Sequence, residues 1–94
     1  MLRIYIDTND MDTEGWCFLL RYDGKALETV ASQIGLNEGM RVVLYYSDRG
    51  EEFEFDGTLH FVNGRWLGRA DRSSYRLVRV TPIDELRKQP WYRD

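Results

Sequence analysis

The side chains best suited to binding an anion alternate along two neighbouring stretches that the sequence predicts to be strands. Thr58 and His60 have one parity on the first stretch, and Arg65 and Arg69 share one parity on the second. A guanidinium presents planar N–H donors to phosphate or carboxylate, an imidazole exchanges a proton near neutral pH, and a hydroxyl adds a further hydrogen bond. We therefore expect these four side chains to form an anion site on one outward face. Three further arginines extend the candidate set: Arg72, Arg76 and Arg79.

The arginine-rich segment 65–79 also suggests a nucleic-acid surface. Its five arginines are interleaved with Trp66 and Tyr75, and such a mixture is typical of surfaces that hold a phosphate backbone and stack bases. Against this, the whole chain is acidic, with a net charge of −3, and Trp66 is expected to face the core. The alternative is a solvated sheet face whose arginines pair with the acids of residues 51–56.

A candidate metal site lies in the acidic loop 7–15. Asp10, Asp12 and Glu14, followed by Gly15, match the first six positions of a calcium loop, in which alternate side chains turn toward one hard cation. The twelfth position holds Arg21 where such a loop needs a bidentate glutamate. A solvated hairpin loop is the competing interpretation, and no cofactor is expected.

Catalytic residues are not predicted. Cys17 lies in the apolar run 16–20, where a cysteine usually behaves as a small buried hydrophobe, and nothing in the sequence places His60 beside it. Glu52, Glu54 and Asp56 point to water from one strand, where acid–base chemistry would need one of them buried. We expect a protein that is not an enzyme.

Period-2 and period-3.6 patterns predict the elements of the first half of the chain. Residues 2–6 alternate as a strand, and residues 16–22 form an apolar run that completes a hairpin with a long loop. Residues 25–34 carry a helical apolar stripe, with Asp23 as the expected cap and Gly35 as the left-handed stop.

The second half is predicted to be an antiparallel meander. Strands are expected at 40–46, at 51–62 with a sharp bend at Gly57, at 65–70 and at 75–80. Asn63-Gly64 predicts a tight hairpin that pairs Phe61 with Trp66 and directs both rings to the core. A short helix is expected after Thr81-Pro82, followed by an aromatic tail, Trp91-Tyr92, that either covers an open barrel end or forms an interface.

These elements predict one α+β domain over residues 1–94, with an antiparallel curled sheet of SH3-like small-barrel character in the order β-β-α-β-β-β-β-α. Its parts are a hairpin and helix (1–36), a meander or barrel (37–80), and a C-terminal helix and tail (81–94). One cysteine in 94 residues excludes an internal disulfide, the N-terminus lacks the pattern of a signal peptide, and no apolar stretch is long enough to span a bilayer, so we expect a cytoplasmic protein without membrane contact.

The charge distribution suggests an interaction module. Residues 1–64 carry 12 acids and 5 bases, whereas residues 65–94 carry 8 bases and 4 acids, so the two parts have net charges of −7 and +4. Such parts can neutralise each other within the fold, join two copies, or face an anionic partner. We expect a protein partner or a homo-oligomer, held through acidic and basic faces, with a nucleic-acid or phosphate ligand as the alternative.

Overall fold

The fold is known from a computed structural model that describes residues 1–80 and 82–90, without the side chains of Ile83 and Leu86. The predicted capping residue Thr81 and the predicted interface residues Trp91 and Tyr92 lie outside the described residues.

The described chain contains strands, two α-helices and two short 3-10 helices. The helices are α1 (Leu27–Ile34) and α2 (Ile83–Leu86), and the 3-10 helices are Thr8–Asp10 and Arg72–Ser74. The strands, in chain order, are β1 (Arg3–Ile6), β2 (Trp16–Cys17), β3 (Leu20–Tyr22), β4 (Lys25–Ala26), β5 (Arg41–Asp48), β6 (Glu51–Val62), β7 (Arg65–Ala70) and β8 (Arg76–Val80).

These strands form one mixed sheet that curls into a half-barrel. Its order is β2-β7-β6-β5-β1-β3-β4, and β8 pairs with β6. The sheet is not wholly antiparallel as predicted, because β1 pairs with β5 in parallel. The connection from β1 to β5 contains β2, β3, β4 and α1, and a crossover of this length lets the chain return to lie parallel to its first strand.

The apolar run 16–22 is not one strand, contrary to the prediction. Trp16 and Cys17 pair with β7, whereas Leu20 pairs with β1, so the run reaches both ends of a six-strand stretch of the sheet. Only Phe18 and Leu19 separate the two pieces. Because two residues span a short distance, this connection requires the sheet to curl back on itself.

Helix α1 begins at Leu27 and not at residue 25 as predicted, because Lys25 and Ala26 form β4. It ends at Ile34, and Gly35 adopts the predicted left-handed conformation, with φ 69°. Asp23 does not cap this helix. Asp23 and Gly24 both have positive φ, 52° and 74°, and they form the tight turn between β3 and β4. A two-residue hairpin favours this backbone twist, so the local turn replaces the expected helix cap.

The hairpin at Asn63-Gly64 has the predicted register. Val62 pairs with Arg65, and the pairing continues without a slip to Gly57 and Ala70. Phe61 lies opposite Trp66 with ring centroids 5.1 Å apart, but the two rings are not both in the core. Trp66 packs against the core, whereas Phe61 is 51% exposed because it lies next to the turn, beyond the sheet's buried centre.

One apolar cluster fills the concave side of the sheet beneath α1. Its members are almost wholly inaccessible to solvent: Ile4, Ile6, Cys17, Leu20, Leu27, Val30, Val42, Leu44, Phe55, Leu59 and Ala70. This core leaves residues of the opposite parity on the outer face of β5, β6 and β7, where the candidate site lies. Within residues 1–80 and 82–90, no helix has the length and apolarity needed to span a membrane.

Candidate functional site

Three polar residues form a row across the outer face of the central strands. Arg41 on β5 lies directly opposite Thr58 on β6, and Thr58 lies directly opposite Arg69 on β7. Directly opposed residues in neighbouring antiparallel strands direct their side chains to the same face, with β-carbons about 5 Å apart. The sheet register therefore places one hydroxyl between two guanidinium-bearing side chains.

A chain of hydrogen bonds joins this hydroxyl to a carboxylate. The Thr58 Oγ1 lies 2.8 Å from Nε2 of His60, and Nδ1 of His60 lies 2.6 Å from Oε2 of Glu38. The ionised carboxylate only accepts, so Nδ1 carries a proton toward Glu38. In neutral His60, Nε2 must then accept the hydroxyl proton of Thr58.

Glu38 is fixed in place by the neighbouring strand. Its Oε1 accepts a 2.8 Å hydrogen bond from the backbone N–H of Phe61 while its Oε2 bonds His60. The Phe61 amide, followed by His60, lowers the pKa of the Glu38 carboxyl, because both hydrogen bonds favour its ionised form. Glu38 therefore links the turn before β5 to the outer face of β6.

The predicted arginines do not gather into one patch. Three of them donate to backbone carbonyls of the segment 13–18: Arg65 to Phe18, Arg69 to Glu14 and Arg72 to Thr13, at 3.2–3.5 Å. Arg65 also lies 4.0 Å from the carboxylate of Glu28. These contacts hold the acidic loop against β7.

The remaining two predicted arginines face the acids of β6. Arg76 lies 3.1 Å from both Glu54 and Asp56, and the backbone of Arg79 pairs with that of Glu52. Arg76 and Arg79 have opposite parity in sequence, yet a bulge in the β6–β8 pairing places each opposite an acid. Arg76 therefore forms the ion pairs with residues 51–56 that the alternative interpretation, a solvated sheet face, predicts.

Arg3 completes the ionic network, although the sequence analysis did not identify it. Its Nη2 lies 3.0 Å from Glu52 and 3.0 Å from Glu54, and its guanidinium lies over the ring of Tyr45 at 4.2 Å. Three acids of β6, Glu52, Glu54 and Asp56, are thus neutralised within the chain by arginines from β1 and β8. The parallel pairing of β1 with β5 brings Arg3 to this face, and no local signal predicts that pairing.

A cavity of about 740 Å³ opens beside the row formed by Arg41, Thr58 and Arg69. Its volume is in the range of small-molecule binding pockets. Arg72 and Ser73 add polar groups to its lining, and the exposed side chain of Met1 adds apolar area. The cavity thus combines guanidinium and hydroxyl groups with apolar area.

The acids among the lining residues differ in what they already bind. Asp56 pairs with Arg76, and Asp71 accepts hydrogen bonds from the backbone and hydroxyl of Ser73. In contrast, none of Arg41, Arg69 and Arg72 has a carboxylate within ion-pair distance among residues 1–80 and 82–90. Glu14 is the third acid of the lining, so the three arginines share the cavity with three carboxylates but form no ion pair with any of them.

The candidate metal ligands do not converge on a common point. The carboxylate of Asp10 accepts from the backbone amides of Phe18 and Leu19, and that of Asp12 accepts from the amides of Glu14 and Trp16. No group of three potential ligands close enough to hold an ion occurs in the described part of the chain. Asp10 and Asp12 therefore stabilise the loop by accepting hydrogen bonds from its backbone N–H groups.

Cys17 is buried in the core, as its apolar neighbours indicated, and its thiol lies 3.7 Å from the carbonyl of Gly15. Burial, with smaller contributions from Asp10 and Asp12, raises the pKa of this thiol to about 12. It is therefore protonated at neutral pH and unsuited to nucleophilic chemistry.

Glu38 and Arg41 are the site residues that the sequence analysis missed. The sequence feature that could have identified Arg41 is the tight turn at Arg49-Gly50. A two-residue loop there fixes the register of β5 on β6, and that register places Arg41 opposite Thr58. Glu38 had no comparable signal, since its contact with His60 spans 22 residues of chain.

The hydroxyl, imidazole and carboxylate are connected in the order used by hydrolases, but their setting differs. Thr58 lies on a strand that is paired along both edges, so the backbone groups around it are engaged in the sheet. The backbone therefore leaves no free N–H beside the hydroxyl for an oxyanion hole, and the donors that flank it are the side chains of Arg41 and Arg69.

In comparisons with known proteins, no family model, curated protein or solved structure matches the chain.

Proposed function

We propose that this chain is a non-enzymatic interaction module that associates with a second copy of itself through the free edge of β8. The observation that carries the proposal is the exposure of this strand. Leu77, Val78 and Val80 are 50%, 44% and 60% exposed, and Tyr75 immediately before them is 48% exposed. Exposed apolar residues on an edge strand favour pairing with another chain.

The backbone of β8 supports the same interpretation. One edge of β8 pairs with β6, and among residues 1–80 and 82–90 no strand pairs with its other edge. Unpaired N–H and C=O groups along a strand form a template for an added strand. A second copy supplies a strand of matching length and the same apolar character.

Antiparallel pairing of β8 with its own copy is also compatible with its charges. If Val78 lies on the two-fold axis, Arg76 faces Val80 of the other copy and Leu77 faces Arg79 of the other copy. No two arginines are then directly opposed, and each arginine remains free to face the acids of β6.

We propose this edge-to-edge association in place of the association through acidic and basic faces that the sequence led us to expect. Glu54 and Asp56 already pair with Arg76, and Glu52 pairs with Arg3, so these charges are largely neutralised within one chain. Apolar area and backbone hydrogen bonds remain available at the β8 edge.

The proposal also includes the absence of enzymatic activity and a cytoplasmic location. The inert thiol of Cys17 and the fully paired backbone around Thr58 support the first. A single cysteine, which fits a reducing compartment, supports the second.

The finer architecture proposed for the half-barrel is SH3-like. The meander β5–β6–β7 and the return of β8 to the first half of β6 support this assignment. The long strand β6 contributes to both parts of the curl, as in small barrels whose strands bend at a glycine.

Sedimentation over a range of concentrations tests the proposed association. The wild-type chain is expected to shift from its 11.2 kDa monomer toward a dimer as concentration rises. Val78→Lys, which places two like charges at the two-fold axis, is expected to remain monomeric. Leu19→Lys is the matched control, because Leu19 is 53% exposed and lies outside β8, and it is expected to dimerise like wild type.

Two results would overturn the proposal. A wild-type chain that stays monomeric at millimolar concentration has no self-association to explain, and equal loss in both variants would locate association elsewhere. Binding of single-stranded DNA that weakens steeply with added salt would instead favour the nucleic-acid alternative.

A further inference from the structure

We propose that Arg41, Thr58 and Arg69 bind the terminal phosphate of a small organic molecule, and that protonation of His60 converts the Thr58 hydroxyl into a donor to that phosphate. The site contains no residue of β8, so this proposal is independent of the self-association proposed above.

The cations of the row have N–H donors to spare. Among residues 1–80 and 82–90, the side chain of Arg41 makes no hydrogen bond or ion pair. Arg69 donates one N–H to a neutral carbonyl and lies 5.2 Å from the centre of the Trp16 ring. Each guanidinium carries five N–H donors, so both retain several for a ligand. A guanidinium that forms no ion pair with a carboxylate of its own chain is a suitable partner for an oxyanion.

The arrangement favours phosphate over carboxylate. Two guanidinium groups flank a hydroxyl on one sheet face, so donors approach from three positions across the three strands. A terminal phosphate offers three oxygens in a tetrahedral arrangement, whereas a carboxylate offers two oxygens in a plane. Met1 in the cavity lining provides apolar contact for the organic part of the ligand.

The hydrogen-bond chain determines what Thr58 can offer. While His60 is neutral, its Nδ1–H donates to Glu38 and its Nε2 accepts the Thr58 proton, so the hydroxyl presents only lone pairs to the cavity. When His60 takes up a proton, Nε2–H donates to Thr58 Oγ1. The hydroxyl proton is then free to bond an anion.

The charged groups facing His60 are consistent with this exchange. Glu38 bonds its Nδ1, the ring of Trp16 lies edge-on at a centroid distance of 5.3 Å, and the guanidinium of Arg69 lies 5.2 Å from the centre of that Trp16 ring. A phosphate bound to the Thr58 hydroxyl places negative charge beside the imidazole, so ligand binding and proton uptake favour each other.

Amide chemical shifts during titration with phenyl phosphate, inorganic phosphate and benzoate test the site and the ligand class. Phenyl phosphate is expected to saturate, with the largest shifts at Arg41, Thr58 and Arg69. Arg41→Ala is expected to weaken its binding roughly tenfold or more, as for loss of a charged hydrogen bond. Arg49→Asn removes one positive charge from the β5–β6 turn and tolerates its positive φ, so it serves as the control that retains affinity.

Each other outcome of this titration counts against the proposal. Equal loss in Arg41→Ala and Arg49→Asn would show non-specific charge attraction. Benzoate binding as tightly as phenyl phosphate would overturn the phosphate class, and equal affinity for inorganic phosphate would overturn the organic part of the ligand.

The proton exchange is tested with sulfate, an oxyanion whose charge stays constant while histidine titrates between about pH 5 and pH 8. Wild type is expected to bind sulfate more tightly at the acidic end, and His60→Gln is expected to lose that dependence. Thr58→Val distinguishes the effect of the hydroxyl from the effect of the charge on His60, because it removes the hydroxyl and keeps the imidazole. We expect this variant to lose most of the pH dependence of sulfate binding. Unchanged dependence in Thr58→Val would overturn the exchange and leave only the charge of His60.

Discussion

Gly57 on β6 lies directly against the side chain of Leu44 on β5. A β-carbon at position 57 would lie 2.6 Å from Cδ1 of Leu44 and 2.9 Å from the carbonyl oxygen of Arg69. Both distances are far shorter than van der Waals contact. The glycine predicted to bend β6 is therefore required by close packing, and it lies next to Thr58 of the anion site.

Gly57→Ala is expected to destabilise the fold by about 1–3 kcal/mol, the usual cost of forcing a methyl group into a packed core. Urea unfolding measures the change. Leu44→Ala provides the matched background, because it removes the Cδ1 and Cγ atoms that obstruct the new methyl. We expect Gly57→Ala to cost less in that background, and equal cost in both would mean that Leu44 is not the obstacle.

Glu38→Gln is expected to lower stability at neutral pH but not in strong acid. The folded state lowers the pKa of Glu38 below the ordinary value of 4.5, so the carboxylate stabilises the fold above that value. This contribution is lost as pH falls through the lowered pKa. Urea midpoints of wild type and Glu38→Gln should therefore differ at pH 7 and converge in acid.

Glu51→Gln is the control for this comparison, because Glu51 is exposed at the turn between β5 and β6. Its midpoint should follow that of wild type at both pH values. A Glu38→Gln deficit that persists undiminished in acid would contradict the role of the ionised carboxylate.

Arg3 and Arg76 are expected to compensate for each other at Glu54. Both lie within 3.1 Å of its carboxylate, whose side chain is only 16% exposed. Either arginine alone satisfies that charge, so Arg3→Ala and Arg76→Ala should each cost little. The double variant leaves this largely buried carboxylate unpaired and should cost more than the two changes added together.

Replacement of the shared carboxylate checks this explanation. In a Glu54→Gln background, the excess cost of the double variant should disappear when unfolding is measured in urea. Strict additivity in the unmodified chain would show that the two arginines act separately.

The thiol of Cys17 is expected to resist modification in the folded protein. It is fully buried, and its pKa is raised to about 12, so thiolate is scarce at pH 8. Reaction with a disulfide reagent should be no faster than unfolding, and it should accelerate when urea is added. Labelling of the native chain at the rate of the unfolded chain would contradict this burial.

Short-range patterns predicted a large part of this fold. Asn63-Gly64 determined the register of β6 and β7 because two adjacent residues with positive φ reverse the chain within one turn. The alternation of β6 placed Thr58 and His60 on one face, where their side chains do meet at 2.8 Å. The left-handed stop at Gly35 was equally local.

Predictions failed where two favourable local patterns competed or where a pairing was irregular. Asp23 suited a helix cap, but Asp23-Gly24 also suited a tight hairpin turn, and the hairpin formed. The run 16–22 likewise suited one continuous strand, but its two ends pair with β7 and with β1. Pairing is also irregular between β6 and β8, where a bulge at Glu52 and Phe53 places both Arg76 and Arg79 opposite acids. A bulge changes which residues face each other without changing the strand's own composition.

The amino-acid sequence by itself determined the alternation of β6, the tight turn at residues 63 and 64 and the shared face of Thr58 and His60, since each depends on residues close together in the chain. Only the tertiary structure decided that Glu38 completes the hydrogen-bond chain, that Arg41 joins Thr58 and Arg69 in one row, and that Arg3 neutralises the acids of β6. Those contacts follow from pairing between distant segments, and such pairing is set by burial of the whole apolar cluster rather than by the preference of any single segment.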